Sequence, residues 1–468
     1  MPKEIKHICC IGAGYVGGPT MAVIADKCPN IIITIVDLDR SKIDNWNSND
    51  LSKLPVYEPG LKEIIEKRRG YNLFFSTEIK NSIAISDMVF LSVNTPTKQR
   101  GIGAGEASDL RYIESSARQV AEFAQGETIV VEKSTIPVKT AETIKNILFS
   151  SKDDFEDGGN QKVFHVLSNP EFLAEGTAIS DLENPSRVLI GGENQEAINS
   201  LSAIYLNWVD EEKIIKTNLW SSELSKLSAN AFLAQRVSSI NSLSALCEVT
   251  GANISEVSKA IGMDYRIGEH FLETGPGFGG SCFKKDILNL IYICKFYGLY
   301  DVASYWSKVI EINLWQQERI SKIIINKLFG NLSNKKIGIL GFSFKANTND
   351  TRESPAIKIC KDLLEEGAKL AIYDPKVDEE KIKSNLQEVI IKNDISNINI
   401  EVTESIEDVA LGSDAIVILT EWKEFKLINW NNFCQSMRRP TWIFDCRNII
   451  DKNLINNKIN LWSLGNNS

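Results

Sequence analysis

The chain is poor in histidine. Only His7, His165 and His270 occur in 468 residues, so acid–base chemistry would fall to Lys, Asp or Glu. Its nine cysteines are scattered and odd in number, with no Cys-x-x-Cys pair and no His-rich spacing. That argues against a disulfide framework and against a zinc site, with no metal expected. Positive charge is not in excess: 52 Lys and Arg against 61 Asp and Glu leave a net charge of −9. The balance weighs against binding to nucleic acid or to an anionic membrane, but leaves room for a local basic pocket. No apolar run is long enough to span a bilayer. The opening MPKEIKHICCIGAG lacks a charged region followed by an apolar stretch and cleavage site. A reducing, cytoplasmic setting is the expectation.

What is present suits a folded enzyme: 43% hydrophobic and 24% charged residues. The length exceeds one ordinary core, so two or three domains are expected. In the first block, 7–11, 31–37, 88–93, 128–132 and 163–168 read as strands, with 186–191 and 213–216 extending the set. Helices fit at 14–27 and 109–125. Such alternation builds a parallel, doubly wound sheet. From Trp220 a long helix runs to Gly251, with Leu224, Leu227, Ala231, Ala234, Val237, Ile240 and Leu243 three and four apart. A helix of this kind often forms a dimer spine. The rhythm returns with strands at 336–341, 369–374, 415–420 and 441–445, and 150–161 looks like a surface loop. The resulting division is 1–217, 218–330 and 331–468.

Gly12-x-Gly14-x-x-Gly17 follows the first strand and opens a helix. The first glycine allows the tight turn, the second lets backbone approach a pyrophosphate, and the third lets helix and strand pack closely. Asp37 ends the next strand, where a carboxylate binds the adenosine ribose hydroxyls. It would repel a 2′-phosphate, so NAD is expected rather than NADP. The fold class that follows is α/β: two Rossmann-like, doubly wound parallel-sheet domains joined by the long helix.

A second loop, Gly275-Pro276-Gly277-Phe278-Gly279-Gly280-Ser281-Cys282, precedes a helix expected at 283–294. A cysteine at a helix N-terminus is favoured as thiolate, and Lys284 and Lys285 add positive charge. Asp286, four residues on, can share its helix face. The alternative is a buried, inert thiol, which is how the other eight cysteines read. Lys226 and Asn230 share a face of the long helix, although a helical lysine is usually solvated. Asn169-Pro170-Glu171-Phe172-Leu173-Ala174-Glu175-Gly176 and Ser134-Thr135-Ile136-Pro137 follow strands, where loops face a ligand crevice. Glu171 and Glu175 could equally be helix N-terminal carboxylates without chemistry.

Taken together, GAGYVGGPT (12–20), SVNTPT (92–97), EKSTIPV (132–138), NPEFLAEG (169–176), SSELSKLSANAFLAQR (221–236), GFGGSCFKKD (277–286) and GFSFKANTNDTRES (341–354) resemble the UDP-glucose 6-dehydrogenase family in its eukaryotic type, within the nucleotide-sugar dehydrogenases. The likeness runs from Ile5 to about Asp451. It implies that UDP-glucose, two NAD⁺ and water give UDP-glucuronate and two NADH. It implies Cys282 as the nucleophile that forms a thiohemiacetal and then a thioester, Lys226 as the oxyanion-stabilising cation, and Asp286 as a proton carrier through water. Glu171 matches the group acting in thioester hydrolysis, Thr135 orders the water, and Asn230 shares the catalytic set. For NAD it implies Gly12, Gly14, Tyr15, Val16, Gly17, Asp37, Lys42, Ser134, Thr135, Glu175, Lys285 and Arg352. For the sugar nucleotide it implies Phe172, Leu173, Ala174, Glu175, Lys226, Asn230, Phe271, Phe278, Gly279, Phe344, Lys345 and Arg447, with Arg266 reaching a neighbouring subunit's site. A dimer-based homo-oligomer, a hexamer by resemblance, is expected. Glu273, Cys446 and Asn448 depart from the animal form, which has lysine, glycine and arginine there. Competing readings are a dehydrogenase of GDP-mannose or a UDP-N-acetyl-hexosamine, and a non-catalytic NAD-binding scaffold.

Overall fold

The computed structural model describes residues 3–134, 140–150, 162–392 and 400–466. Thr135 and most of the segment expected as a surface loop at 150–161 lie outside the described residues; Ser150 itself ends the helix Thr140–Ser150. The chain divides into two compact units, one of residues 1–229 with 288–299, the other of 230–287 with 300–468.

The first unit is built on β1 (His7–Ile11), β2 (Ile32–Val36), β3 (Leu73–Ser76), β4 (Met88–Leu91), β5 (Glu127–Glu132), β6 (Val163–Ser168), β7 (Val188–Gly192) and β8 (Ile214–Thr217). They lie in the order β3-β2-β1-β4-β5-β6-β7-β8. The central strands are continuous apolar runs because helices cover both faces. Met88, Val89, Phe90 and Leu91 are all fully buried, each side chain contributing about 1.5–3 kcal/mol relative to exposure. The chain starts mid-sheet, winds out to β3 and returns beside β1 with β4. That reversal leaves a crevice at the strand carboxyl ends, where the loops after β1, β4, β5 and β6 emerge. One feature departs from the all-parallel expectation. After β6 the chain enters the acidic loop and a six-residue helix, Ala178–Glu183, and β7 comes back antiparallel to β6. β8 then runs parallel to β7.

The second unit carries β9 (Lys336–Leu340), β10 (Lys369–Tyr373), β11 (Ile400–Val402), β12 (Ala415–Ile418), β13 (Thr441–Asp445) and β14 (Ile459–Ser463). Their order is β11-β10-β9-β12-β13-β14, every pairing parallel. The same reversal, here between β9 and β12, collects the loops after β9, β12 and β13 at one end. Sequence patterning missed β3, β11 and β14. All are short edge strands with exposed or half-exposed positions, so none shows a long apolar run.

The long helix spans Leu219–Thr250. Gly251 ends it at φ +83, a left-handed cap that glycine adopts without Cβ strain. Its apolar residues divide. Leu227, Ala231, Ala234 and Ile240 are buried, whereas Leu224 and Leu243 are 43% and 38% exposed. Phe232, Leu246 and Val249 on the same helix are exposed too. Among the described residues no helix is long and apolar enough to cross a membrane.

Candidate active site

The glycine loop after β1 divides its labour as the spacing suggests. Gly12 sits at φ +111, and a Cβ there would meet Ser92 O at 2.3 Å. Gly17 begins the helix Gly17–Lys27, three residues later than expected, and its Cβ would strike Gly12 O at 2.1 Å. Around Gly14 a Cβ would meet nothing within 4 Å. Backbone is thus bare toward open space beside Tyr15 and Val16, at a helix N-terminus. Asp37 follows β2. Its carboxylate accepts N–H bonds from Ala13 at 3.0 Å and Asp39 at 3.0 Å, and pairs with Lys42 Nζ at 2.9 Å. Burial alone would raise this carboxyl, but these donors outweigh it and hold Asp37 below the usual carboxylate range. A negative charge at this strand end, beside a bare glycine loop, fits a dinucleotide without a 2′-phosphate. The Ser134 hydroxyl is turned into the fold, donating to Val93 O at 2.7 Å.

The acidic loop is held from several sides. Buried Glu58 accepts the N–H groups of Gly176 at 2.8 Å and Ala178 at 3.1 Å. Asp181 accepts Ala174 N–H and the Thr177 hydroxyl, both at 3.0 Å. Glu171 is buried; one oxygen accepts Leu173 N–H at 2.6 Å and the other lies 3.1 Å from Lys226 Nζ. Lys226 is only 4% exposed, so the solvated-lysine alternative is wrong. Burial pushes Glu171 up, yet the Lys226 charge and the Leu173 N–H carry it below the usual range. It is therefore held as a carboxylate, not as an acid. The Phe172 ring has Arg187 stacked 3.8 Å from its centroid and Lys226 Nζ at 5.5 Å. Leu173 packs partly into the core, Ala174 is exposed, and Glu175 is half-buried.

In the second unit the cysteine loop is threaded by glycines. Gly277 and Gly280 have φ +132 and +85. Gly280 N–H donates to Arg352 O at 2.8 Å, and a Cβ on Gly279 would meet Glu353 O at 2.5 Å and Phe344 Cβ at 2.8 Å. Phe278 is fixed through both backbone groups by the Asn313 side chain, at 2.8 and 3.1 Å. Its ring meets Phe283 edge-on at 5.8 Å, while Phe271, at φ +61, is 6.3 Å from the same ring. Cys282 then precedes the helix Phe283–Phe296 and accepts its Asp286 N–H through its backbone carbonyl at 2.8 Å. Of the nine cysteines Cys282 alone is not buried. Burial pushes the Cys10 and Cys434 thiols up to about 12, which makes them inert. Asp286 is buried, and Asn230 donates to it at 2.6 Å.

The basic residues near this loop are largely matched by acids. Lys284 pairs with Glu353 at 2.8 Å, Lys285 Nζ lies 3.9 Å from Asp286, and Arg352 pairs with Asp350 at 2.7 Å. The two lysines thus charge the loop less than their sequence positions suggest. Arg447 donates to Leu419 O at 2.8 Å and Phe344 O at 3.3 Å, and pairs with Glu421 at 3.1 Å. Lys345 Nζ stands 5.6 Å over the Phe344 ring. Arg266 does not join this cluster within the second unit: its side chain is 73% exposed and is tied to its own neighbour, Asp264. Sequence reasoning missed Lys133, Arg187 and Tyr205, which line a cavity of about 180 Å³ with Glu171 and Phe172. The one available signal was Lys133, standing directly behind an apolar strand.

Fold and site together define a dinucleotide-dependent enzyme with a strand-end carboxylate and a half-buried helix-terminal thiol. Comparison with known proteins narrows this. Residues 6–209, 220–315 and 338–452 match, in turn, the NAD binding, central and UDP binding domains of the UDP-glucose/GDP-mannose dehydrogenase family. The UDP-glucose 6-dehydrogenase of Drosophila melanogaster is 54% identical over 453 residues, covering 95% of this chain and 93% of that one. Its Gallus gallus counterpart is 53% identical over 454 residues, covering 96% and 90%. A solved UDP-glucose dehydrogenase from Pyrobaculum islandicum superposes with a TM-score of 0.83 at 27% identity, over 99% of this chain and 98% of its own. The chain belongs to the UDP-glucose/GDP-mannose dehydrogenase family.

Proposed function

We propose that this protein oxidises UDP-glucose to UDP-glucuronate in two successive NAD-dependent steps. The observation that carries the reading is Cys282: the one thiol not buried, on a glycine loop, at a helix N-terminus. Bound NAD⁺ supplies the hydride acceptor, once in each step; Gly12, Gly14, Gly17 and Asp37 would hold its pyrophosphate and adenosine ribose.

In the first oxidation the C6 hydroxyl passes its proton through water to Asp286 as hydride leaves, and the fixed ammonium of Lys226 stabilises the developing oxygen charge. The Cys282 thiolate then adds to the aldehyde carbon, forming a C–S bond and a thiohemiacetal. Loss of a second hydride leaves a thioester. Glu171, ionised and buried, takes a proton from water as its oxygen attacks; the C–S bond breaks and the thiol is restored. Asp286, oriented by Asn230, accepts and returns protons on the thiol side. Thr135 orders the attacking water, and Ser134 and Glu175 serve NAD; Phe172, Leu173, Phe278, Phe344, Lys345 and Arg447 hold the sugar nucleotide. Arg266 acts in a neighbouring copy of a cytoplasmic homohexamer, and the exposed Leu224, Phe232, Leu243, Leu246 and Val249 supply the apolar surface that pairing would bury. The three segments 1–217, 218–330 and 331–468 serve NAD binding, dimerisation and UDP-sugar binding.

Product analysis with UDP-glucose tests this: two NADH per UDP-glucuronate are expected. One NADH per product, or faster turnover of GDP-mannose or a UDP-N-acetyl-hexosamine, would overturn it.

A further inference from the structure

Behind Glu171 lies a buried cation that the mechanism above does not use. Lys133 directly follows β5 and is 3% exposed. Its Nζ donates to Asn169 Oδ1 at 3.0 Å and to Tyr205 Oη at 3.2 Å. Tyr205 donates to the same Asn169 oxygen at 2.7 Å, and Asn169 Nδ2 donates to Leu189 O at 2.7 Å. Both partners of the ammonium are neutral, and no carboxylate among the described residues forms an ion pair with it. A buried charge of this kind is costly, by several kcal/mol per ion, and simple packing would be served by a neutral amide. Asn169, its anchor, opens the acidic loop; Glu171 is two residues on. Lys133, Asn169, Glu171, Phe172, Arg187 and Tyr205 line one cavity.

We infer that Lys133 is a positioning residue for Glu171: it pins the start of the acidic loop through Asn169 and supplies, with Lys226, the positive field in which the carboxylate works as a base. The inference rests on the proposed role of Glu171 at the substrate. Its charge is also among the influences that carry the Glu171 carboxyl below the usual range, after burial, Lys226 and the Leu173 N–H. The other charged or titratable groups around the cavity are accounted for. Lys226 comes from the long helix, Arg187 is spent on the Phe172 ring, Asp181 on Ala174 and Thr177, and Tyr205 on Asn169. Glu132 and Glu223 repel each other, and the Lys133 charge acts on Glu132 as well, more weakly than burial and Glu223 do.

The test uses the full chain with NAD and UDP-glucose. Lys133→Gln and Lys133→Met should lower kcat about tenfold with KM changed less than about twofold. The acidic limb of the kcat–pH profile should move up by about one pH unit, because a lost positive charge favours the protonated carboxyl. Sugar covalently held on Cys282 should accumulate during turnover, as in Glu171→Gln. Lys133→Arg, which keeps the charge, should leave the limb in place. Should the Gln and Met variants fail to fold, Asn169→Asp keeps Lys133 but cancels its charge, and the same upward shift is expected. A folded variant that loses kcat equally at every pH, with the limb unmoved, or that loses nothing, overturns the inference. Glu171→Gln with wild-type turnover would instead sink the role given to Glu171. Infrared titration of the Glu171 carboxyl, assigned by its loss in Glu171→Gln, needs no turnover and then judges Lys133 directly: an unshifted band in Lys133→Gln overturns it.

Discussion

Gly17→Ala and Gly14→Ala, three residues apart in one loop, should fail in opposite ways. At Gly17 the added Cβ meets Gly12 O at 2.1 Å, Cys10 Sγ at 3.1 Å and Ser92 Cβ at 3.2 Å. The first obstacle is backbone that cannot retreat: Gly12 N–H is bonded to Val36 O at 2.8 Å. Relief therefore requires the helix Gly17–Lys27 to move off β1 by more than an ångström. Overpacking of a tight core costs about 1–3 kcal/mol, and a rigid backbone contact belongs at the top of that range. Alanine returns about 1 kcal/mol in helix propensity, so the net loss should be about 2 kcal/mol. At about 2–4 °C per kcal/mol for a domain of this size, the first unit should melt about 4–8 °C lower. At Gly14 the methyl enters open space; stability should hold or rise by about 0.4–1 kcal/mol. The methyl would stand where a pyrophosphate must approach, so NAD affinity should fall about tenfold or more, about 1.4 kcal/mol. Scanning fluorimetry and NAD titration calorimetry on both variants decide the matter. A Gly17→Ala protein melting with wild type refutes the packing argument; a Gly14→Ala protein binding NAD as tightly as wild type refutes the assignment of the loop.

Cys282→Ser should lose turnover by orders of magnitude while still binding NAD and UDP-glucose, because a serine hydroxyl is scarcely ionised near neutral pH; UDP-glucuronate made at near wild-type rate would exclude a covalent route. Catalytic efficiency should strongly favour NAD over NADP, since a 2′-phosphate meets the Asp37 carboxylate, whose charge Lys42 already pairs; comparable efficiencies would contradict this. Burial, then the charge of Glu223, raises the Glu132 carboxyl well above its ordinary 4.5. The folded chain thus keeps a proton that the unfolded chain releases, so this contribution to stability is full below that value and is lost as pH rises toward the folded one. Glu132→Gln should therefore lose less stability than wild type as pH rises above 4.5, and parallel melting curves over that rise would show the carboxyl to be unperturbed.

Much of the architecture is written locally. Strand–helix alternation, the Gly12–Gly17 spacing and the Gly251 stop depend on side-chain period and backbone freedom, which a few neighbouring residues carry. The placement of Cys282 ahead of a helix is local in the same sense. Short edge strands such as β11 were illegible because three residues, all exposed or half-exposed, carry no period. The antiparallel return of β7 was illegible because strand direction depends on where the intervening chain packs, not on the composition of the strand.

The charges divide along the same line. Residue order alone sets Asp37 at a strand end and Asp286 one turn beyond Cys282, since both follow from short-range geometry. Whether a charge is solvated, paired or buried depends on elements distant in the chain. Lys226 reads as a surface lysine until the loop after β6 brings Glu171 within 3.1 Å. Lys133 becomes a buried ammonium only because Asn169 and Tyr205 close over it. Lys284 reads as free positive charge until Glu353, 69 residues on, meets it. Coulomb interaction and desolvation act through space and through the local dielectric, so packing, not residue order, set the proton affinity of Glu171.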